Sequence, residues 1–476
     1  MDERTTAPLI NPGDTCWRVE RANRAAFLCD NAAYFSAAKA ALLKARRSIL
    51  LIGWEFDHRC RLDPSAPTCK SDRIGELLHA LALERPALNV RVLVWDAALA
   101  VALGKRMMPQ RAWWRFRKSP VTFKLDSSMP RGAAHHQKLL VIDDAVAFCS
   151  GDDFSGNRWD EPDHRDENSN RTTPRGKPYP PRHGLTVLVD GEAARALGNL
   201  ARDRWRKAVG YAPAAPGQGP VDPWPRCVEP DLTNEPVGIS RTVPAWHGDH
   251  EVRENEASFL AGIAAARRLL YFENQYFASD ILGDAIAARL AETDGPEVVV
   301  VTGEHAPSFF DRITMDPPRD ALIHRLRAAD RFGRFHVYAP HSPEGRPVLM
   351  HSKVMIVDDR MIRTGSANVS RRSMRYDTEC DLAIAPDEAD IKVIAALRHR
   401  LVGHFLGVPA QRVSQEEQVR SSLAAVIEML DEREKRRLRP LHPPAPKFPR
   451  SVIARWHLGD PSGAADAWRP WLRRRD

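Results

Sequence analysis

The stretch His136-Gln137-Lys138-Leu139-Leu140-Val141-Ile142-Asp143 returns 215 residues later as His351-Ser352-Lys353-Val354-Met355-Ile356-Val357-Asp358. In each copy a His and a Lys two apart precede an apolar run. A strand has period two, so both polar side chains stand on one face and reach one ligand together. The agreement extends further: Asp144 matches Asp359, and Gly151-Asp152-Asp153 parallels Ser366-Ala367-Asn368. Upstream, Ala45-Arg46-Arg47 resembles Ala266-Arg267-Arg268, each before an apolar run that ends in Trp54-Glu55-Phe56 or Asn274-Gln275-Tyr276-Phe277. A repeat this long is a duplicated domain rather than a solenoid.

The duplication predicts two related halves, 1–211 and 246–410, joined by a Pro- and Gly-rich linker at 212–245 and followed by an extension, 411–476, without a counterpart. A length of 476 residues fits two domains or tightly joined halves. In the first half, Ala32 to Ala45 reads as a helix, 48–53 as a strand, 74–83 as a helix and 90–95, 121–125, 139–142 and 145–148 as strands. A long surface loop is expected at 160–182, then a strand at 185–189 and a helix at 192–209. Little periodicity marks residues 1–30 until Arg24-Ala25-Ala26-Phe27-Leu28. The second half repeats the order, with helices at 253–266, 280–291, 319–330 and 387–406 and strands at 269–273, 297–302, 334–338, the motif strand and 382–384. Helices alternating with strands predict an α/β fold: two duplicated α/β-sandwich half-domains, each a mixed sheet flanked by helices, sharing one active site at their interface. In the extension, 415–438 reads as helical, and Trp456, Trp468 and Trp471 interleave with arginines. Such a tail suits an interfacial anchor, nucleic-acid stacking, or simple packing on the core.

A net charge of +8 favours acidic partners such as phosphates or anionic lipid without choosing between them. The 7 cysteines follow no metal-ligand spacing, and a reducing compartment is the default, with a Cys60–Cys69 disulfide as the alternative in an exported protein. Met1-Asp2-Glu3-Arg4 is no basic and apolar leader, and no run reaches the ~18 apolar residues of a membrane span. The expectation is a cytoplasmic chain, peripheral to the membrane at most, and monomeric because both motifs lie in one chain.

Two imidazoles and two ammonium groups form a trap for a phosphate diester, and a His with an ordinary pKa near 6.5 is available in either protonation state near neutrality. One neutral His can attack phosphorus while the other, protonated, supplies the leaving alcohol's proton and later activates water. Lysines and Asn368 stabilise the non-bridging oxygens. This reading calls for no metal and no cofactor, because the lysines supply the positive charge.

The paired H-x-K-x-x-x-x-D motifs, with Gly365-Ser366-x-Asn368, resemble the phospholipase D superfamily. Further residues point to its phospholipase D branch: His135 to Lys138, Gly156 to Asp160, Gly53 to Phe56 and Glu273 to Phe277. The resemblance covers residues 32–407 and implies hydrolysis of glycerophospholipids to phosphatidic acid and a headgroup alcohol, with transfer to another alcohol as a further outcome. It implies a catalytic set of His136 (nucleophile), His351 (general acid and base), Lys138 and Lys353 (phosphate), and Asp143 and Asp358 in orienting and structural parts. Asp153, Ser366, Asn368 and Glu379 form the substrate-phosphate and supporting group, with Glu379 as the carboxylate that hydrogen-bonds a catalytic imidazole. Where members commonly carry His-Asp in the first half, this chain has His183-Gly184, and Gly184 supplies no carboxylate. Lys105 to Lys118, with Trp113, Trp114 and Phe116, suits an anionic membrane or an ordinary solvated helix. Competing readings are a cardiolipin-synthase-like transferase, a metal-independent nuclease, and a membrane-binding module with a dead site. The expected partner is phospholipid at a membrane surface, with nucleic acid disfavoured.

Overall fold

A computed structural model describes residues 8–476 apart from 66–71, 98–108, 218, 220, 221, 388, 389, 432–436, 446, 465 and 467–476. The first half carries β1 (Arg18–Cys29), β2 (Ser48–Gly53), β3 (Asn89–Trp95), β4 (Thr122–Asp126), β5 (Leu139–Ile142), β6 (Val146–Ser150), β7 (Arg182–His183) and β8 (Leu185–Asp190). The second carries β9 (Leu232–Val243), β10 (Val252–Arg253), β11 (Leu269–Asn274), β12 (Glu297–Val301), β13 (Phe335–Pro340), β14 (Leu349–Met350), β15 (Lys353–Val357), β16 (Met361–Gly365), β17 (Glu379–Ile384) and β18 (Leu438–Pro440).

All but β7 and β14 join one mixed sheet, in the order β18-β13-β12-β11-β15-β16-β17-β9-β1-β8-β6-β5-β2-β3-β4, with β10 on β9. The duplication is visible as two runs of six strands, β13 to β17 and β4 to β8, reading inward from the edges. Sequences such as Leu139–Ile142 and Glu297–Val301 are nearly all apolar because helices cover both sheet faces. The helices Asp30–Lys44, Ile74–Glu84 and Gly191–Val209 cover the first half, and Glu254–Ala265, Asp280–Ala291, Asp316–Ala329 and Ile391–Leu406 the second.

Two expectations are corrected at the centre. The segment 212–245 is not only a linker, since it contains β9, which pairs antiparallel with β1 on one side and β17 on the other. Residues 18–29, without an expected element and with little periodicity before Arg24, form β1. The charged start of β1 and Pro236 within β9 hide both strands from a pattern search, because local alternation is lost where pairing is enforced by neighbours already in place. The halves are therefore sewn into one sheet rather than docked.

The segment 160–182 is a long loop at the surface, as expected, but it is pinned by buried polar residues. Asp160, His164 and Arg171 are at most 2% exposed, and the Arg171 guanidinium donates to Asp160 at 2.8 Å. The helix expected over 415–438 is instead two, Ala410–Val419 and Leu423–Leu430, and β18 then extends the sheet beside β13. Trp456 ends the helix Arg450–Trp456, whereas Trp468, Trp471, Cys69, Lys105 and the first residues Met1 to Arg4 lie outside the described residues.

The motif aspartates shape the fold rather than the chemistry. Asp143 and Asp144 have φ of 57° and 54°, Asp358 and Asp359 of 51° and 58°, the left-handed pair that a tight β5–β6 or β15–β16 hairpin requires. The Asp143 carboxylate accepts the backbone N–H groups of Arg46, Arg47 and Ser48 at 2.7–2.8 Å, which starts β2. Asp358 does the same for Arg267, Arg268 and Leu269 at 2.8 Å, which starts β11. Neither carboxylate belongs among the catalytic groups. Charge-assisted bonds contribute ~1.5–3 kcal/mol each and are not additive, so Asp143→Ala should destabilise the fold by roughly 3 kcal/mol in denaturant titration. The remaining folded enzyme should keep its kcat.

Candidate active site

Each motif enters its strand through a backbone bond to the opposite half. His136 N–H donates to the Thr378 carbonyl at 3.0 Å, and His351 N–H donates to the His183 carbonyl at 2.8 Å. Thr378 precedes β17 and His183 precedes β8, so the two bonds are related by the pseudo-two-fold of the duplication. The parallel β7–β14 pair, Leu349 against Arg182 and Met350 against His183, fixes the approach to His351. His135 and Thr378 bridge in the same way before His136. Both histidines are thereby held at the seam between halves.

Their ring orientations are fixed by buried carboxylates. Nδ1 of His136 lies 2.9 Å and 3.0 Å from the two oxygens of Glu379, which comes from the second half. Nδ1 of His351 lies 3.0 Å from Oδ1 of Asp152, which comes from the first. When a neutral ring donates from Nδ1, its Nε2 carries a lone pair. Burial, with Lys138 adding to it, holds the His136 imidazole well below its ordinary range. Burial acts on His351 in the same direction, opposed by Asp152 and reinforced by Lys353.

The two carboxylates differ. Burial pushes Glu379 up to about 7 despite the Ser366 hydroxyl, which donates to its Oε2 at 2.5 Å. Against the same burial, Arg182 and His351 hold Asp152 well below the usual carboxylate range. Arg182 donates to Asp152 Oδ1 at 2.7 Å and Asn31 to Oδ2 at 3.0 Å. Glu379 is therefore a carboxylate near its titration point, and Asp152 a fixed anion.

The lysines are also unequal. Lys138 Nζ pairs with Asp153 Oδ2 at 3.0 Å, while Asp153 Oδ1 accepts the Trp54 N–H at 2.9 Å. Lys353 Nζ meets neutral acceptors, the His351 carbonyl at 2.6 Å and Gln275 Oε1 at 3.3 Å. Burial pushes Lys353 down to about 7; Asp152 opposes this, and Lys138 and Arg182 add to it. Asn368, the counterpart of Asp153, is 4% exposed and keeps its Oδ1 without a hydrogen-bond partner. The expected site residues thus divide: His136, His351, Lys138, Lys353, Asp153, Ser366 and Glu379 come together and Asn368 lies two residues beyond Ser366 on the loop after β16, whereas Asp143 and Asp358 sit at the far ends of β5 and β15. Ser366 supports Glu379 rather than facing a phosphate.

A family model described as "Cardiolipin synthase, PLD-like domain" matches residues 259–400. Phospholipase D A of Dictyostelium discoideum is 23% identical over 428 residues, covering 76% of this chain and 32% of that protein. Phospholipase D2 of Bos taurus is 23% identical over 476 residues, covering 77% and 50%. Cardiolipin synthase A of Pseudomonas fluorescens (strain SBW25) is 25% identical over 358 residues, covering 73% and 63%.

The chain belongs to the phospholipase D superfamily.

It spans about a third to three fifths of the length of these curated relatives. The phosphatidylserine synthase of Haemophilus influenzae Rd KW20 shares the fold, with a TM-score of 0.56, 13% identity, and coverage of 87% of this chain and 96% of that one. Within the superfamily pattern the departure at Gly184 now has a physical explanation. A Cβ at Gly184 would stand 2.6 Å from Asp152 Oδ2, so the glycine makes room for a carboxylate that has moved to the loop after β6. Asp152 was missed in the sequence. The available signal was joint: Asp152 stands where the duplicate has Ala367, and Gly184 where the duplicate has Glu379.

Proposed function

We propose that this chain cleaves the phosphodiester of glycerophospholipids through a phosphohistidine, releasing the headgroup alcohol and passing the phosphatidyl group to water or a second alcohol. The observation that carries the reading is the pair of seam histidines, each oriented by a buried carboxylate from the opposite half and each next to a buried lysine. His136 is the nucleophile: its Nε2 lone pair attacks phosphorus as the bond to the headgroup oxygen breaks. His351, neutral in the free protein, takes up a proton when the anionic diester binds beside it and Asp152, and gives its Nε2 proton to that oxygen. The neutral ring then takes a proton from water or an acceptor alcohol, whose oxygen attacks phosphorus as the P–N bond breaks and the lone pair returns to His136. The contrast between carboxylates supports this division, because an imidazolium is favoured beside the anion that stays ionised. Lys138, Lys353 and Asn368 hold the non-bridging oxygens.

Lipid as substrate is supported by exposed apolar side chains: Phe309 and Phe310, 79% and 63% exposed, and Trp113 and Trp114 on the helix Pro109–Phe116, beside arginines. Among the described residues no helix is long and apolar enough to cross a membrane. The family model's description favours a second reading, phosphatidyl transfer between two phosphatidylglycerols to give cardiolipin. Vesicles of phosphatidylcholine, phosphatidylethanolamine and phosphatidylglycerol, with and without added primary alcohol, separate the two. Free headgroup and phosphatidic acid support hydrolysis, and cardiolipin from phosphatidylglycerol alone supports transfer. Release of neither, alongside cleavage of single-stranded DNA in EDTA, would overturn both.

Lys353 gives a pH dependence. Its folded pKa is lowered to about 7, so its charge is present below that pH and lost as pH rises through it. Inhibition by inorganic phosphate should therefore weaken between pH 6 and about 8, as an inhibition-constant series would show. Lys353→Arg should flatten that limb, since a guanidinium stays protonated.

A further inference from the structure

Behind the His351 side of the seam lies a second group of histidines that the phosphodiester chemistry does not use. His183, His164, His404 and Asp30 each present one ligand atom, all within 4.8 Å of one another. They come from four separate places: His183 from β7, His164 from the loop 160–182, His404 from the helix Ile391–Leu406 and Asp30 from the first residue of the helix Asp30–Lys44.

The outward-facing ring atoms of two of these histidines are held by further carboxylates. His183 Nε2 lies 3.0 Å from Glu273 Oε2, and Glu273 Oε1 accepts the Tyr271 hydroxyl at 2.7 Å. His164 Nδ1 lies 3.0 Å from Asp160 Oδ2, and Asp160 Oδ1 accepts from Arg171. His164, whose Nδ1 donates outward to Asp160, turns its Nε2 lone pair inward as metal-binding histidines do, whereas His183 has a carboxylate at each ring nitrogen and would bind a metal by giving up its Nδ1 proton. Inward, Nε2 of His164 and Nε2 of His404 stand 2.8 Å apart. Nδ1 of His183 is 2.9 Å from Asp30 Oδ1, and His404 Nε2 is 3.2 Å from Asp30 Oδ2.

Asp30 Oδ2 and His183 Nδ1, on residues 1% and 0% exposed, have polar neighbours at 3.2 Å and 2.9 Å but none in hydrogen-bonding geometry. Buried polar atoms held this close without hydrogen-bonding geometry are costly unless a cation lies among them. We propose that Asp30, His164, His183 and His404 bind a divalent transition metal, with zinc the best fit, in a closed N3O site that ties the two halves together. Tetrahedral zinc with metal–nitrogen distances of ~2.0–2.1 Å places its ligand atoms about 3.3 Å apart, and three imidazoles with one carboxylate suit it. All four protein ligands leave no open position, so the role is structural. The metal would pin His183, whose carbonyl receives the His351 N–H, and so set the position of one catalytic ring.

The test uses the full chain, stripped with EDTA and dialysed against zinc or cobalt. The expected result is about one zinc per chain by elemental analysis, a raised melting temperature, and the visible bands of four-coordinate cobalt. X-ray absorption of the zinc form should show imidazole scattering from histidines. His164→Gln with His404→Gln should lose the metal and the cobalt bands, whereas His136→Ala with His351→Ala, which removes the two seam histidines, should keep both. No uptake by the wild type overturns the proposal, and so does uptake that survives the first double variant or vanishes only in the second. X-ray absorption on the wild type keeps the proposal falsifiable if the first double variant does not fold, because an all-oxygen or sulfur shell also overturns it.

Discussion

His136→Ala is expected to lower turnover of phospholipid vesicles by at least ~10⁴-fold, and no single-turnover phosphoenzyme should form, because the atom that receives the phosphatidyl group is gone. His351→Ala should lose less on a substrate whose leaving group needs no proton. A general acid contributes about 10²–10⁴-fold when the leaving alcohol is poor and little when it is good. With an activated aryl phosphodiester, the His351→Ala enzyme should release aryl alcohol in a burst and then stall, leaving phosphate on His136. Rapid quench followed by peptide mass spectrometry reads the site directly. Phosphate on the His351 peptide in the His136→Ala enzyme would reverse the assignment, and absence of any phosphohistidine in either would remove the two-step scheme. The effect is large because His136 is half-buried, neutral and oriented before substrate arrives, with Glu379 on its Nδ1.

Much of this site was legible in the sequence because a duplication carries its own control. Residues at matched offsets, His136 with His351 and Lys138 with Lys353, are held to one task by symmetry, and strand periodicity then puts them on one face. The mixed α/β architecture followed from alternating helical and apolar segments. What was not legible depends on partners distant in sequence. β1 and β9 are strands because β8 and β17 present open edges to them, not because of their own pattern. The loop at 160–182 is a surface loop as its polar composition suggests, but nothing in that composition marks Asp160, His164 and Arg171 as buried residues that satisfy one another. The motif aspartates have the structural part expected of them, at the strand starts they hold. The hairpin turn separates them from the site, since the strand that carries the His ends where the Asp begins.

The second large effect concerns Asp152 and Gly184, which together stand in for the second half's Ala367 and Glu379. Asp152→Leu should cost about 10³–10⁴ in kcat, the size expected when a catalytic imidazole loses the carboxylate that fixes its tautomer and stabilises its charged form. It also strips Arg182 of its acceptor. Gly184→Asp alone should be damaging too, because its Cβ would meet Asp152 Oδ2 at 2.6 Å and two carboxylates would crowd one buried site. Combined, the changes remove each other's fault: the leucine vacates the volume the new carboxylate needs, and that carboxylate returns to the position matching Glu379. The double variant should recover to within about tenfold of wild type, a coupling opposite in sign to two independent losses. Kinetics of the four enzymes on one substrate, with pH profiles, decide it. Rescue with a restored acid limb shows that the anion beside His351 matters and its attachment point does not, whereas additive losses would mean that Asp152 acts through Arg182 and Asn31 on the loop itself rather than through the ring.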